Sequence, residues 1–230
     1  MNAKTALIVG TSRTLGLGLA TEYAHRGRDV IGTVRGDRRT GLHDLAEEAS
    51  GGRATVESLD MTKPEQVAAL RERLAERTLD LLFVDAAVTR GSIPIGDVPA
   101  EMFVEVMVTN ALSPMHMAES FRSLVAPGGT SGIISSRQGS VSLNTNGGQD
   151  VYRAGKAAPE PADAQLRRPV RRRRAHTAAH PPRPCPHRTR RSGRTADHRP
   201  VRPRRVDTID RDSGEPGLKF LNHQDQPVPW

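Results

Sequence analysis

The opening of the chain constrains its fold most: an apolar run, a glycine-rich turn and a helical stretch, in that order. Thr5-Ala6-Leu7-Ile8-Val9 has the unbroken apolar character of a strand buried on both faces. Gly10-Thr11-Ser12-Arg13-Thr14-Leu15-Gly16-Leu17-Gly18 follows, and Leu19 to Ala24 has helical character. Glycines let a backbone turn tightly and approach a ligand closely. A helix beginning there aims its free N–H groups at the turn, which suits a phosphate. A plain strand-to-helix turn fits the same text, so the rest of the chain has to decide.

Alternation continues. Asp29 to Val34 reads as a second strand ending on Arg35, Leu42 to Ala49 as a helix, Ala54 to Leu59 as a third strand with Asp60 at its end. Thr62-Lys63-Pro64-Glu65 starts a helix with proline in its first turn, striped by Val67, Leu70 and Leu74. Leu79 to Val84 is a fourth strand, Asp85-Ala86-Ala87-Val88 follows it, and Met102 to Leu124 is largely helical with Asn110 in its middle. Strands alternating with helices predict an α/β, three-layer, Rossmann-like doubly wound parallel sheet. In such sheets an acid at the end of the second strand takes ribose hydroxyls, and a base suits a 2′-phosphate. Arg35, with Arg13 in the glycine turn, favours the phosphate, although Asp37 lies close by.

Ile134 to Lys156 ends in Tyr152-Arg153-Ala154-Gly155-Lys156. On a helix, i and i+4 share a face. An ammonium beside a phenol favours the phenolate, so the spacing predicts a lowered Tyr152 pKa. Ser135 and Ser136 close the apolar run Gly132-Ile133-Ile134, where a hydroxyl can meet the same substrate oxygen. Alone, a Tyr-x-x-x-Lys pair is an ordinary surface neighbourhood.

These features in sequence resemble a classical short-chain dehydrogenase/reductase over residues 1–158. The glycine turn, Asp60, Asp85-Ala86-Ala87 in place of Asn-Ala-Gly, the mid-helix Asn110, and Ser136 with Tyr152 and Lys156 carry the resemblance. It implies an NAD(P)-dependent oxidoreductase acting on a small carbonyl or alcohol. Tyr152 would be the acid and base. Lys156 would lower its pKa and hold the nicotinamide ribose. Ser136 would orient the substrate, with Ser135 as the alternative, and Asn110 would support a relay water. Gly10, Ser12, Arg13, Leu15, Gly16, Arg35, Asp60, Ala86 and Lys156 would hold the cofactor, NADP(H) in preference to NAD(H). A homodimer or homotetramer through the helices around Asn110 and Tyr152 is implied as well. Thr14 departs from the family's middle glycine, and Gly155 replaces a common serine.

After Ala158 the pattern breaks. Residues 167–205 hold 15 Arg, no Lys and the single acid Asp197, a local excess of +14 that leaves −6 on the rest of a chain whose total is +8. We read residues 159–205 as an irregular basic segment translated out of frame and replacing the sixth strand region, within a domain that resumes at 206–230 with its C-terminal strand. The segment is compatible with a one-base shift: one choice of synonymous codons for Pro159 onward, read from the second base, encodes Leu-Asn-Gln-Leu-Met-Arg-Ser-Phe-Ala, the amphipathic continuation the preceding helix lacks. Resequencing codons 155–210 decides that point. The competing reading is an impaired family product whose arginines bind polyanions without sequence specificity. His176, His180, Cys185 and His187 match no zinc spacing, so no metal is expected. The lone Cys185 excludes an intrachain disulfide. No secretory segment or membrane-length apolar run is present, which predicts a cytoplasmic protein.

Overall fold

The computed structural model describes residues 3–49, 53–159, 174–179, 202–211, 219–222 and 224–229 of the 230. Strands β1 (Thr5–Val9), β2 (Asp29–Val34), β3 (Ala54–Ser58), β4 (Leu79–Val84), β5 (Val125–Ser135), β6 (Arg174–Ala179) and β7 (Phe220–Leu221) form one sheet in the order β3-β2-β1-β4-β5-β6-β7. Every neighbouring pair is parallel. The helices are α1 (Thr14–His25), α2 (Gly41–Glu48), α3 (Pro64–Arg73), α4 (Ala100–Met107), α5 (Ser113–Phe121), α6 (Asp150–Ala157) and α7 (Arg202–Arg211). The chain reverses direction across the sheet between β1 and β4. That switch point leaves a crevice at the strands' carboxyl ends, where α/β sheets bind ligands.

Strand alternation sorts the core into two faces. Leu7, Val9, Ile31, Leu82 and Val84 pack with Val67, Leu70, Met117 and Phe121 of α3 and α5. Ala6, Ile8, Val30, Leu81 and Phe83 pack with Leu19, Ala20 and Tyr23 of α1, Leu42 and Leu45 of α2, and Val206 and Ile209 of α7. The three layers are therefore helices, sheet and helices. Charge completes the α1–α7 contact: Asp210 meets Arg28 at 2.6 Å and Asp207 meets Arg26 at 2.7 Å.

One sequence expectation needs correction. The basic segment does not leave the sixth strand position empty. Arg174–Ala179 runs beside β5 from Thr130↔Arg174 to Ser135↔Ala179, and β7 adds to its other side. An exposed strand edge offers a ladder of N–H and C=O groups that extended backbone can satisfy whatever its side chains. Helical backbone likewise begins at Arg202, inside the stretch expected to be irregular. The rest of that expectation, with His180, Cys185 and His187, lies outside the described residues. Phe220–Leu221 returns as the expected terminal strand.

The glycine turn is shaped by close backbone contacts. Gly10 has φ +96°, and a Cβ there would lie 2.7 Å from the Ala86 nitrogen. Thr14, at the family's glycine position, has φ +49°. A β-branched residue in the left-handed region is strained by about 1–2 kcal/mol. Glycine removes that strain but adds about 0.5–1 kcal/mol of backbone entropy cost. Thr14→Gly is expected to stabilise the fold by roughly 0.5–1 kcal/mol, read as a higher denaturant midpoint. An unchanged or lower midpoint would show that the turn holds threonine without strain.

Candidate active site

The switch-point crevice is lined by Gly10, Ser12, Arg13 and Thr14 of the glycine turn, Arg35 after β2, Asp60 after β3, Asp85 to Val88 after β4, and Thr109. Six of the residues expected to meet a cofactor, Gly10, Ser12, Arg13, Arg35, Asp60 and Ala86, thus share one cleft. Leu15 and Gly16 follow in the first turn of α1. That turn has no side-chain cap and no acid. Its first N–H groups therefore keep their partial positive charge for an anion. Asp60 is fixed by its neighbours: its Oδ1 accepts from the Thr62 nitrogen at 3.0 Å and the Thr62 hydroxyl at 2.7 Å.

The second cluster stands at the end of β5. Ser136 is buried, accepts from the Gln138 nitrogen at 3.2 Å, and lies close enough to Tyr152 to draw its pKa down. Ser135 faces the other way, its hydroxyl donating to the Lys156 carbonyl at 3.4 Å. The two serines are thereby distinguished: Ser136 is the one beside the phenol. Lys156 is 2% exposed and its Nζ donates to the Ile134 carbonyl at 2.8 Å.

The expected fall in the Tyr152 pKa is not what the structure shows. Burial, and then the Asp85 carboxylate, push it up, and the Ser136 hydrogen bond offsets only part of this. Lys156 is instead the perturbed cation: burial lowers it to about 8 against an opposing pull from Asp85. The i, i+4 spacing was right about proximity along α6. It could not reveal that the ammonium turns to the carbonyl of Ile134.

Asn110 lies in a π-helical turn, Val108–Leu112, between α4 and α5. Such turns are rare and cluster at functional sites. Its amide is engaged at both ends, donating to the Val88 carbonyl and accepting from the Val88 nitrogen, each at 2.8 Å. In this geometry the side chain braces the loop after β4. Gly155 explains itself against the same residue: a Cβ there would lie 3.2 Å from the Asn110 Cβ and from Val106 Cγ1. The helix crossing needs the missing side chain.

Sequence reasoning missed three contributors. Arg153 ties down the loop between Ser136 and Tyr152, donating from Nε to the Gly148 carbonyl at 2.7 Å and from Nη1 to the Gln138 carbonyl at 3.4 Å. The C-terminal segment reaches that loop too, with the Ser140 hydroxyl donating to the Pro229 carbonyl at 2.5 Å and Leu143 packed on Phe220 and Val228. Gln138 Oε1 is buried and has no hydrogen-bond partner among the described residues, an uncommon state for a buried acceptor. Its position two residues after Ser136 was the only sequence signal. No group of metal-binding side chains occurs among the described residues, and no helix among them is long and apolar enough to cross a membrane.

The chain is similar to known proteins. The family model described as enoyl-(acyl carrier protein) reductase matches residues 9–162. The chain is 33% identical over 156 residues to the 1-hydroxy-2-glutathionyl-2-methyl-3-butene dehydrogenase of Rhodococcus sp. (strain AD45), covering 67% of this chain and 66% of that protein. It is 30% identical over 128 residues to the NADPH-dependent pterin aldehyde reductase of Arabidopsis thaliana, 54% of this chain and 52% of that one. The chain thus spans less than two thirds of the full length of these curated relatives. Among solved structures, a short-chain dehydrogenase/reductase of Burkholderia multivorans with bound NADP superposes with a TM-score of 0.86 at 38% identity, covering 100% of both chains. A carbonyl reductase of Pseudomonas aeruginosa PAO1 in complex with NADP gives 0.85 at 26% identity, over 99% of this chain and 100% of that one. Sheet order, glycine turn and family match lead to one assignment: the chain belongs to the classical short-chain dehydrogenase/reductase family of oxidoreductases.

Proposed function

We propose that the protein is a cytoplasmic, NADP(H)-preferring reductase of small carbonyl compounds, running in reverse as an alcohol dehydrogenase. The observation that carries this reading is the Ser136 hydroxyl standing beside the Tyr152 phenol at the end of β5, with Lys156 one helical turn further on. The residues of the cleft fit a phosphorylated dinucleotide. The uncapped start of α1 suits a pyrophosphate, and Arg13 and Arg35 supply two cations where a 2′-phosphate would lie. When bound, the nicotinamide supplies the hydride.

The side chains of this chain would handle the proton. Ser136 donates a hydrogen bond to the substrate carbonyl and polarises it. Tyr152, its pKa raised and its phenol neutral near pH 7, gives its proton to that oxygen as carbon receives hydride. Lys156, poised near 8, places a titratable cation within one turn of the phenol at close to operating pH. Asn110 holds the Val88 loop that walls the cleft. Phe103 and Val104 of α4 and Leu112 of the π turn are exposed apolar side chains, which supports a homodimer or homotetramer through this region.

The out-of-frame reading of 159–205 is supported by the family match ending at residue 162. The alternative, a polyanion-binding impaired product, rests on the +14 excess of residues 167–205. One titration separates the two. Saturable NADPH binding that persists at high salt supports the enzyme, whereas DNA binding that collapses with salt and no NADPH binding supports the alternative. Within the enzyme reading, Arg35→Ala is expected to lower the NADPH-to-NADH affinity ratio about 10–100-fold, the loss of a charge-assisted contact of roughly 1.5–3 kcal/mol. An unchanged ratio would remove Arg35 from cofactor selection.

A further inference from the structure

Asp85 stands where the family carries asparagine, and its surroundings give the carboxylate a task. Strand register sets the scene. Val9 pairs with Val84 and Val84 with Ile133, so Gly10, Asp85 and Ile134 stand abreast at the next step along the sheet edge. The Asp85 nitrogen donates to the Val9 carbonyl at 2.8 Å, which fixes its backbone. On one side its Oδ2 reaches the glycine turn, lying 2.9 Å from where a Gly16 Cβ would be. On the other, Ile134 is the residue whose carbonyl holds the Lys156 ammonium. The carboxylate also lines the cleft.

We propose that Asp85 is a positioning residue: its carboxylate, held between the glycine turn and the Tyr152–Lys156 pair, keeps protons on both groups and moves the working pH of the site to the alkaline side. This rests on the roles given above to Tyr152 and Lys156. A negative charge opposes forming phenolate and opposes losing an ammonium proton, so both effects have the same sign. The pKa directions agree, since Asp85 raises Tyr152 and raises Lys156. Among the described residues, the other charged groups on the cleft are Arg13, in the glycine turn that Asp85 itself reaches, and Arg35 and Asp60 at the ends of β2 and β3, on the side of β1 away from β5. Ser136 is the polar partner of Tyr152 on the β5 side. Asparagine preserves the shape, exchanges one acceptor oxygen for a donor and removes the charge, so it would leave the pair to ionise at lower pH.

The test uses the full-length chain and needs no knowledge of the natural substrate. The chain has two tyrosines, and burial beside Asp210 pushes Tyr23 far above the ordinary range. The first phenolate step in ultraviolet absorbance therefore reports Tyr152, and its absence in Tyr152→Phe confirms the assignment. Asp85→Asn is expected to move that step down by about one pH unit. The pH profile of NADPH-dependent reduction of 4-nitrobenzaldehyde is expected to shift to the acid side on both limbs. Asp85→Ser repeats the measurement with a smaller neutral side chain, and circular dichroism confines it to the folded range. A phenolate step unmoved in both variants overturns the proposal, even if reductase activity is present. A shifted step in a protein that neither binds NADPH nor reduces the aldehyde upholds the electrostatic role and overturns the enzymatic reading instead.

Discussion

Tyr152→Phe is expected to lower carbonyl reduction about 10²–10⁴-fold while leaving NADPH affinity within about twofold. The phenol touches the site through one atom. Its hydroxyl stands beside Ser136, whose oxygen keeps the Gln138 nitrogen as a partner when the phenol is lost. The ring remains, so the packing of α6 is preserved and the fold loses about 0.5–1.5 kcal/mol at most, the worth of one hydrogen bond. The cofactor cleft is built from the glycine turn and the ends of β1 to β4 and does not include the residue. Steady-state rates with NADPH and an aldehyde, set beside a fluorescence titration of the same variant, read the two effects separately. A variant that keeps activity within tenfold would remove Tyr152 from the chemistry.

Gly16→Ala is expected to cost about 1–3 kcal/mol of stability and at least about tenfold in NADPH affinity. A methyl group at this position would lie 2.2 Å from the Gly10 carbonyl oxygen, 2.9 Å from Asp85 Oδ2 and 3.0 Å from the Gly10 carbonyl carbon. Two of those three atoms are backbone and cannot swing away. The turn has to open, and its N–H groups no longer converge on one anion. Gly96→Ala is the control: among the described residues, no atom beyond its chain neighbours lies within 4 Å of its Cβ position, so it should stay within about 0.5 kcal/mol. Equal behaviour of the two variants in denaturant melts and NADPH titrations would contradict the packing argument.

How much of this was legible in the sequence follows from what is local. The bounds read for the first, second and fourth strands are those of β1, β2 and β4, because unbroken apolar runs bounded by glycine or charge leave little choice. The helix read at Leu42 to Ala49 is displaced by one residue from Gly41–Glu48, the usual uncertainty at helix ends. The convergence of the glycine turn, Arg35 and Asp60 on one cleft was legible because a doubly wound sheet dictates where loops gather. The sixth strand was not, since Arg-Ala-His-Thr-Ala-Ala has no strand signature and takes its shape from the edge of β5. The direction of the Tyr152 shift was misread for a related reason. Burial, which dominates the shift, and the Asp85 carboxylate, which adds to it, come from residues distant in sequence that meet the pair only in the folded sheet. Asn110 could be singled out as an odd mid-helix residue, but its grip on Val88 could not.

The central claim, that this sheet edge brings a nicotinamide and a proton-donating phenol to one carbonyl carbon, is tested most directly by isotope transfer. NADPH deuterated at the reactive position of the nicotinamide is mixed with the protein and an aldehyde, and the product alcohol is examined by mass spectrometry and NMR. One deuterium on the former carbonyl carbon, on a single prochiral face, is the predicted result. Bound NADPH with no deuterium in any product, or an unlabelled alcohol, would contradict it.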